Sequence, residues 1–384
     1  MSEKYFPGTG ILTKDTLSSG ERRIPIRPLG VLSDLVVGSL PMALALAKGG
    51  DLTDAKGLLD RAEEYAGDLQ VGGLPQEGTL EHKIGRLDVL MLYAGLAHSG
   101  LRIKPKLSNL VRVFSGVQVP VLTYEDIVLN NPQSDPRTFT HGEIGADEEH
   151  FYAIHQDLEH AIKPAVQTIR GTLVRADIYG DIPQKMADEM SEASMKLDIL
   201  IRNTGQVGGR MKLFDEFRPY LNPIPLHFIG STLPKRDFPG PSGAYSGTVH
   251  ALELLVCGLM PQEDGKSELL DYVLRKRRFI PTDDYDLLDE ASTLALRGKA
   301  LRNLAEELDY PDPLLDLLES FGKQILTFRR AHKGAVARQV PKALTDGTVM
   351  GTGGIINIGE FLDNRIMRTQ NMLDLIKNIR TSRI

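Results

Sequence analysis

Phe321-Gly322-Lys323-Gln324-Ile325-Leu326-Thr327-Phe328-Arg329-Arg330-Ala331-His332-Lys333-Gly334-Ala335-Val336 sets Phe321, Ile325, Phe328, His332, Ala335 and Val336 at helical intervals. That spacing predicts a single apolar stripe on a helix over 312–340. The same period recurs upstream, where Asp51-Leu52-Thr53-Asp54 offers a cap for a helix to Tyr65, and Glu81 to His98 carries Ile84, Leu87, Leu90, Met91 and Ala94. Further helices are expected over 146–176, 182–204, 209–219, 242–260, 266–279, 283–308 and 355–379. Strand-like alternation is scarce and no fixed-period repeat occurs, so the fold class is all-α: a small N-terminal helical domain and a large helical bundle. Bundles of this kind house cofactors between their helices.

Three domains are expected. Residues 1–30 form an arm, because Pro25 and Pro28 forbid a continuous helix; 31–135 form the small helical domain; 136–384 form the large one, with Asn130-Asn131-Pro132-Gln133-Ser134-Asp135-Pro136 as the turn-rich boundary. The five prolines of 220–241 mark a long structured loop. At 384 residues with 41% hydrophobic content, the chain buries a large core. A formal net charge of −6 argues against a nucleic-acid partner. The single cysteine, Cys257, lies in the apolar run Leu254-Leu255-Val256 and reads as a buried bystander in a reducing compartment. No signal-peptide core stands at the N-terminus and no apolar run reads as membrane-spanning, so a cytoplasmic location without a membrane partner is expected.

His332 lies on the apolar stripe, where a neutral imidazole is either a hydrogen-bonded core residue or a metal ligand. Its basic neighbours Arg329, Arg330 and Lys333 reach solvent or pair with anions such as cofactor carboxylates. In Asp147–His160, Phe151, His155, Leu158 and Ile162 share a face while His150 and His160 fall off it. His155 therefore faces inward, either toward a ligand or bonded to Glu159 one turn later. The run lacks a His-Glu-x-x-His pattern and its five-residue spacings scatter the histidines, so zinc is disfavoured. Gly351-Thr352-Gly353-Gly354 lacks the preceding strand and lysine of a phosphate loop, which leaves a helix start or a closing loop. Arg218, beside Phe217 and Tyr220, suits a carboxylate or a structural salt bridge. Ser242 and Gly243 supply a hydroxyl and a bare amide ahead of the helix from Val249 to Leu259, where an anion can rest.

Arg329-Arg330-Ala331-His332 followed by Gly351-Thr352-Gly353-Gly354 resembles the proximal-ligand helix and substrate loop of the haem-dependent tryptophan 2,3-dioxygenase and indoleamine 2,3-dioxygenase superfamily. Phe151-x3-His155-Gln156-x2-Glu159 resembles the distal helix of the tryptophan dioxygenases. Val121-Leu122-Thr123-Tyr124-Glu125-Asp126 and Arg218-x-Tyr220-Leu221 resemble segments of the indoleamine branch, and the likeness spans about residues 85 to 375. Phe217-Arg218-Pro219-Tyr220-Leu221-Asn222-Pro223-Ile224, Gly240-Pro241-Ser242-Gly243-Ala244 and Leu252-Glu253-Leu254-Leu255-Val256 are most similar to the monodechloroaminopyrrolnitrin synthase group, which remodels a halogenated tryptophan. The chain carries Leu213-Phe214 in place of the paired phenylalanines before the arginine.

The resemblance implies haem b with His332 as the iron ligand, and O₂ activated on the ferrous haem. It implies that His155 relays a proton from the substrate N–H, that Arg218 fixes a carboxylate, and that Thr352 and Gly353 close over the bound molecule. Phe151 and Phe214 would wall an aromatic ring, and Ser242 and Gly243 would line the haem edge. The implied activity is oxygenation of tryptophan or a related indole or aromatic amino acid, by a dioxygenase or a monooxygenase, as a monomer, dimer or tetramer. A non-catalytic haem sensor or carrier on the same scaffold is the alternative.

Overall fold

The computed structural model describes residues 26–69, 73–115, 121–179, 188, 191–192, 214–222, 240–259, 268–309, 311–339 and 357–383. Within them the chain is helical with no strand, so the protein is all-α. Residues 1–25 of the expected arm, nearly all of the expected helix over 182–204, the loop over 223–239, and Thr352 and Gly353 lie outside the described residues.

Two compact units divide the chain: Met1–Ala153 with Leu213–Gly240, and Ile154–Lys212 with Pro241–Ile384. The Asn130–Pro136 turn, expected as a boundary, lies inside the first unit, and buried ions explain why. Arg137 and Asp88 are both 0% exposed and pair at 2.9 Å, Nε to Oδ1. Ser33 Oγ donates to the other Asp88 oxygen at 2.6 Å, while Arg137 also donates to the carbonyls of Asp135 and Ile26. Asn131 exchanges two hydrogen bonds with the Arg137 backbone. Removing any member would strand a buried charge, so this turn is fastened to the helices on either side rather than being a hinge.

In the first unit α1 (Val31–Asp34), a π turn (Leu35–Ser39) and α2 (Leu40–Lys48) lead into α3 (Thr53–Asp68), α4 (Leu80–His98) and α5 (Pro105–Ser115). The unit's central helix is α4. Leu87, Val89, Leu90, Met91 and Leu92 are buried on every side of it, and Thr79 Oγ1 caps its start by accepting from His82 N. By length and composition Val31–Lys48 is apolar enough to cross a membrane, which differs from the expectation that no run reads so. Its Leu32, Leu35, Val36, Leu40 and Leu44 are nevertheless buried in the unit's own core, the packing of a core helix.

The second unit begins within α6 (Gly142–Tyr179), whose Leu158, Ile162, Val166, Ile169 and Leu173 are buried. They pack in one cluster with α8 (Gly247–Cys257), α10 (Tyr285–Leu296), α11 (Leu301–Glu307), α12 (Asp312–Gln339) and α13 (Ile358–Ser382); α7 is the short helix Phe214–Phe217 of the first unit and α9 is Glu268–Lys276. Cys257 is buried there, its thiol pushed up to about 11 by burial. The single helix expected over 283–308 is two. Gly298 takes a φ of +67, Lys299 N donates to Leu294 O at 2.8 Å and Gly298 N to Ala295 O at 3.1 Å, the paired bonds that close a helix at a left-handed residue.

Candidate functional site

On α12 the apolar stripe changes character midway. Phe321 and Ile325 are buried in the second unit's core, whereas Phe328, Ala331, Ala335 and Val336 are only half-buried and His332 is exposed. The same happens on α6, where Leu158 and Ile162 are buried while His155, one turn earlier, is half-buried. Both stripes stay apolar where their cover thins.

Surrounding protein nonetheless drives the His332 imidazole down to about 4, by desolvation first and by the charge of His155 second. His332 thus combines an exposed surface with strong desolvation of its ring. Phe328 stacks one turn before it, ring centroids 6.1 Å apart. No protein hydrogen bond to the His332 ring is found among the described residues. At neutral pH it is an uncharged imidazole with a lone pair to offer, within electrostatic reach of His155.

His155 meets the turn Gly243–Tyr245 closely. A Cβ built on Gly243 would lie 3.1 Å from His155 Nε2 and 3.2 Å from its Cδ2, so a larger residue there would press on the imidazole by a few tenths of an ångström. Ser242 starts the turn, its Oγ accepting from Ala244 N at 3.2 Å, and Ser246 Oγ accepts from Val249 N at 3.1 Å to cap α8. The oxygens expected to receive a ligand are thus already engaged as caps, although each hydroxyl proton stays free to donate.

In the first unit Phe151 and Phe214 lie together, centroids 5.4 Å apart, and Phe217 joins them at 5.7 and 5.1 Å. Phe217, fully buried, is an aromatic neighbour that the sequence named only as standing beside Arg218. Arg218 opens the 3-10 turn Arg218–Leu221; its half-buried guanidinium is lowered by desolvation, against which Asp215 acts. Tyr220 stacks flat on Phe139 at 5.2 Å and sets its edge to His98 at 6.1 Å. Of the named residues, Phe151, Phe214 and Arg218 thus belong to the first unit, and His155, His332, Ser242 and Gly243 to the second.

The three basic residues near His332 have separate fates. Arg330 donates to Gln370 at 3.1 Å and Lys333 pairs with Asp363, both at the surface against α13. Arg329 is buried, pairing with Glu253 of α8 and donating to Thr369 and to the Arg365 carbonyl. Glu253 was legible as a lone acid inside Leu252–Val256, a pattern that demands a buried cation. Two guanidiniums outweigh its burial and hold it down at about 2.

Among the described residues no three His, Cys, Asp or Glu side chains gather as a metal-holding group. A lone imidazole can still serve a metal whose other ligands arrive with a macrocycle. Comparison with models of known protein families gives no match, and comparison with curated protein sequences gives none either.

Proposed function

We propose that this chain is a haem-dependent oxygenase acting on tryptophan or a related indole or aromatic amino acid, with haem b held by His332. The observation that carries the reading is His332 itself: neutral near pH 7, with no protein hydrogen bond to its ring among the described residues, exposed, and electrostatically coupled to His155 within one unit. Those properties suit an imidazole that would hold the iron of a haem, the group that the Arg329-Arg330-Ala331-His332 resemblance implies. Haem, when bound, supplies an iron centre for O₂ activation.

The chain's own residues do the rest. His332 offers its ring lone pair, with Phe328 holding the ring plane from one side. His155, half-buried and confined by Gly243, accepts the proton of the substrate ring N–H. Within the first unit Phe151, Phe214 and Phe217 offer aromatic faces and Arg218, already partly stripped of water, suits a carboxylate. Ser242 and Gly243 border the cofactor edge, and the resemblance assigns Thr352 and Gly353, which lie outside the described residues, to the amino acid. Cytoplasmic residence, small-molecule partners alone and O₂ as co-substrate belong to the same proposal.

Purified protein reconstituted with haem b is expected to show a Soret band with histidine ligation that His332→Ala abolishes. An unchanged spectrum in the variant would sink the proposal. Oxygen uptake under reducing conditions with a panel of aromatic amino acids then separates an oxygenase from a carrier, which consumes none, and product mass separates addition of two oxygen atoms from one.

A further inference from the structure

Arg365 of α13 is a buried cation with only part of its fork in use. Its side chain is 7% exposed, its Nη1 pairs with Glu253 Oε2, and its Cζ lies 4.9 Å from the centre of the Phe361 ring. Among the described residues the Nε and Nη2 protons meet no acceptor, and both nitrogens are sealed from the surface. These two donors form one edge of the guanidinium, the edge whose parallel N–H bonds match the two oxygens of a carboxylate.

Charge points the same way. Glu253 is shared by Arg329 and Arg365, so two positive charges face one negative charge in the interior, leaving an excess of one cation. The nearest titratable neighbour does not offset it. His250 Nε2 lies 2.9 Å from Ala244 O, which can only accept, so the proton sits on Nε2 and Nδ1 is a bare acceptor. Tyr272 stands with its ring 5.5 Å from His250 and 5.9 Å from Phe361, and its hydroxyl donates to the same Ala244 carbonyl. Water could satisfy the N–H groups but would leave the buried charge uncompensated.

We propose that the Nε/Nη2 edge of Arg365 is a buried binding subsite for a carboxylate. One source is a propionate of the haem, which rests on the function proposed above; the other is a free small organic acid, which does not. The carboxylate makes two parallel charge-assisted bonds to Arg365 and brings the cluster with Arg329 and Glu253 to neutrality.

The test uses the full chain in two arms. In the first, thermal midpoint is followed with sodium propionate at fixed ionic strength, against propionamide as its uncharged counterpart. A saturable rise with propionate alone, lost in Arg365→Lys, which keeps the charge toward Glu253 but lacks the fork, identifies a free acid as occupant. In the second, haem b is compared with its dimethyl ester: wild-type protein should prefer haem b by about tenfold or more, and Arg365→Lys should erase the preference. That result identifies the propionate. If the lysine variant does not fold, the Arg365 Nε–Hε resonance in wild-type protein decides, shifting with the carboxylate and not with its neutral counterpart. Failure to discriminate acid from neutral form in both arms, or discrimination that survives in folded Arg365→Lys, overturns the subsite. A protein that binds neither porphyrin refutes the haem reading alone and leaves the first arm to rule on Arg365.

Discussion

Glu148 on α6 in the first unit and Glu253 on α8 in the second are both buried glutamates, and their surroundings drive them in opposite directions. Glu148 accepts from Phe139 N at 2.8 Å, Thr140 N at 3.0 Å, Thr140 Oγ1 at 2.5 Å and Tyr152 Oη at 2.6 Å, yet burial still pushes it up to about 7. Glu253 meets Arg329 and Arg365 and is held at about 2. Four neutral donors do not repay the desolvation of a carboxylate, whereas two guanidiniums do. The hydroxyls of Thr140 and Tyr152 can also turn to accept, which lets Glu148 take a proton while its backbone bonds persist. One unit therefore holds a carboxyl that changes charge near neutrality, and the other a permanent anion that ties three helices together.

The largest effect should follow from removing the permanent anion. Glu253→Gln leaves Arg329 and Arg365 facing each other without a countercharge, and a loss of about 3–5 kcal/mol in denaturant unfolding is expected. A loss below about 1 kcal/mol would mean that the two guanidiniums already find another anion, and the contrast between the glutamates would collapse.

Glu148 should act through pH. Its carboxyl has an ordinary value of 4.5 and a folded value of about 7, so its contribution is fully present below pH 4.5 and is lost as pH rises through about 7. The span corresponds to roughly 3 kcal/mol at most. Glu253 runs the other way, its contribution present above 4.5 and lost as pH falls toward about 2. His98, His250 and His332, each lowered to about 4, also stabilise as pH rises from about 4 to their ordinary 6.5 and mask the Glu148 slope in the wild type. The difference between wild type and Glu148→Gln isolates it: the wild type should lose stability relative to the variant between pH 4.5 and 7, and a flat difference would refute the raised value.

The contrast between these two clusters also marks how far the chain could be read from its residues. Periodicity located α4, α12 and α13 because their apolar stripes are long and regular, whereas Phe151 and Phe214 were named together only through the family resemblance. It did not separate α10 from α11, since the break rests on the conformation of a single glycine, Gly298. The Asn130–Pro136 turn looked like a linker because its composition is that of a turn; the Arg137–Asp88 pair that fastens it links residues 49 apart. Glu148 gave no local sign, being one acid in the run Asp147–Glu149, and only the fold selects which of the three is buried. His332 was picked out as the inward histidine of its stripe, and the thinning of cover around it depends on tertiary packing that no helical period records.

The smallest effect sharpens the comparison most. Tyr152→Phe removes one neutral donor from Glu148 and leaves the backbone bonds from Phe139 and Thr140 in place. If neutral donors hold a buried carboxylate only weakly, as the contrast with Glu253 requires, the cost should stay near 1 kcal/mol at pH 8, where Glu148 is charged, and fall toward zero at pH 5, where it is protonated. The upper end of the Glu148 slope should move to higher pH, because the charged form alone loses its donor. Equal costs at the two pH values would show that the tyrosine hydroxyl serves the protonated carboxyl as well as the charged one, and the rotation of that hydroxyl would then be what allows Glu148 to take up its proton in place.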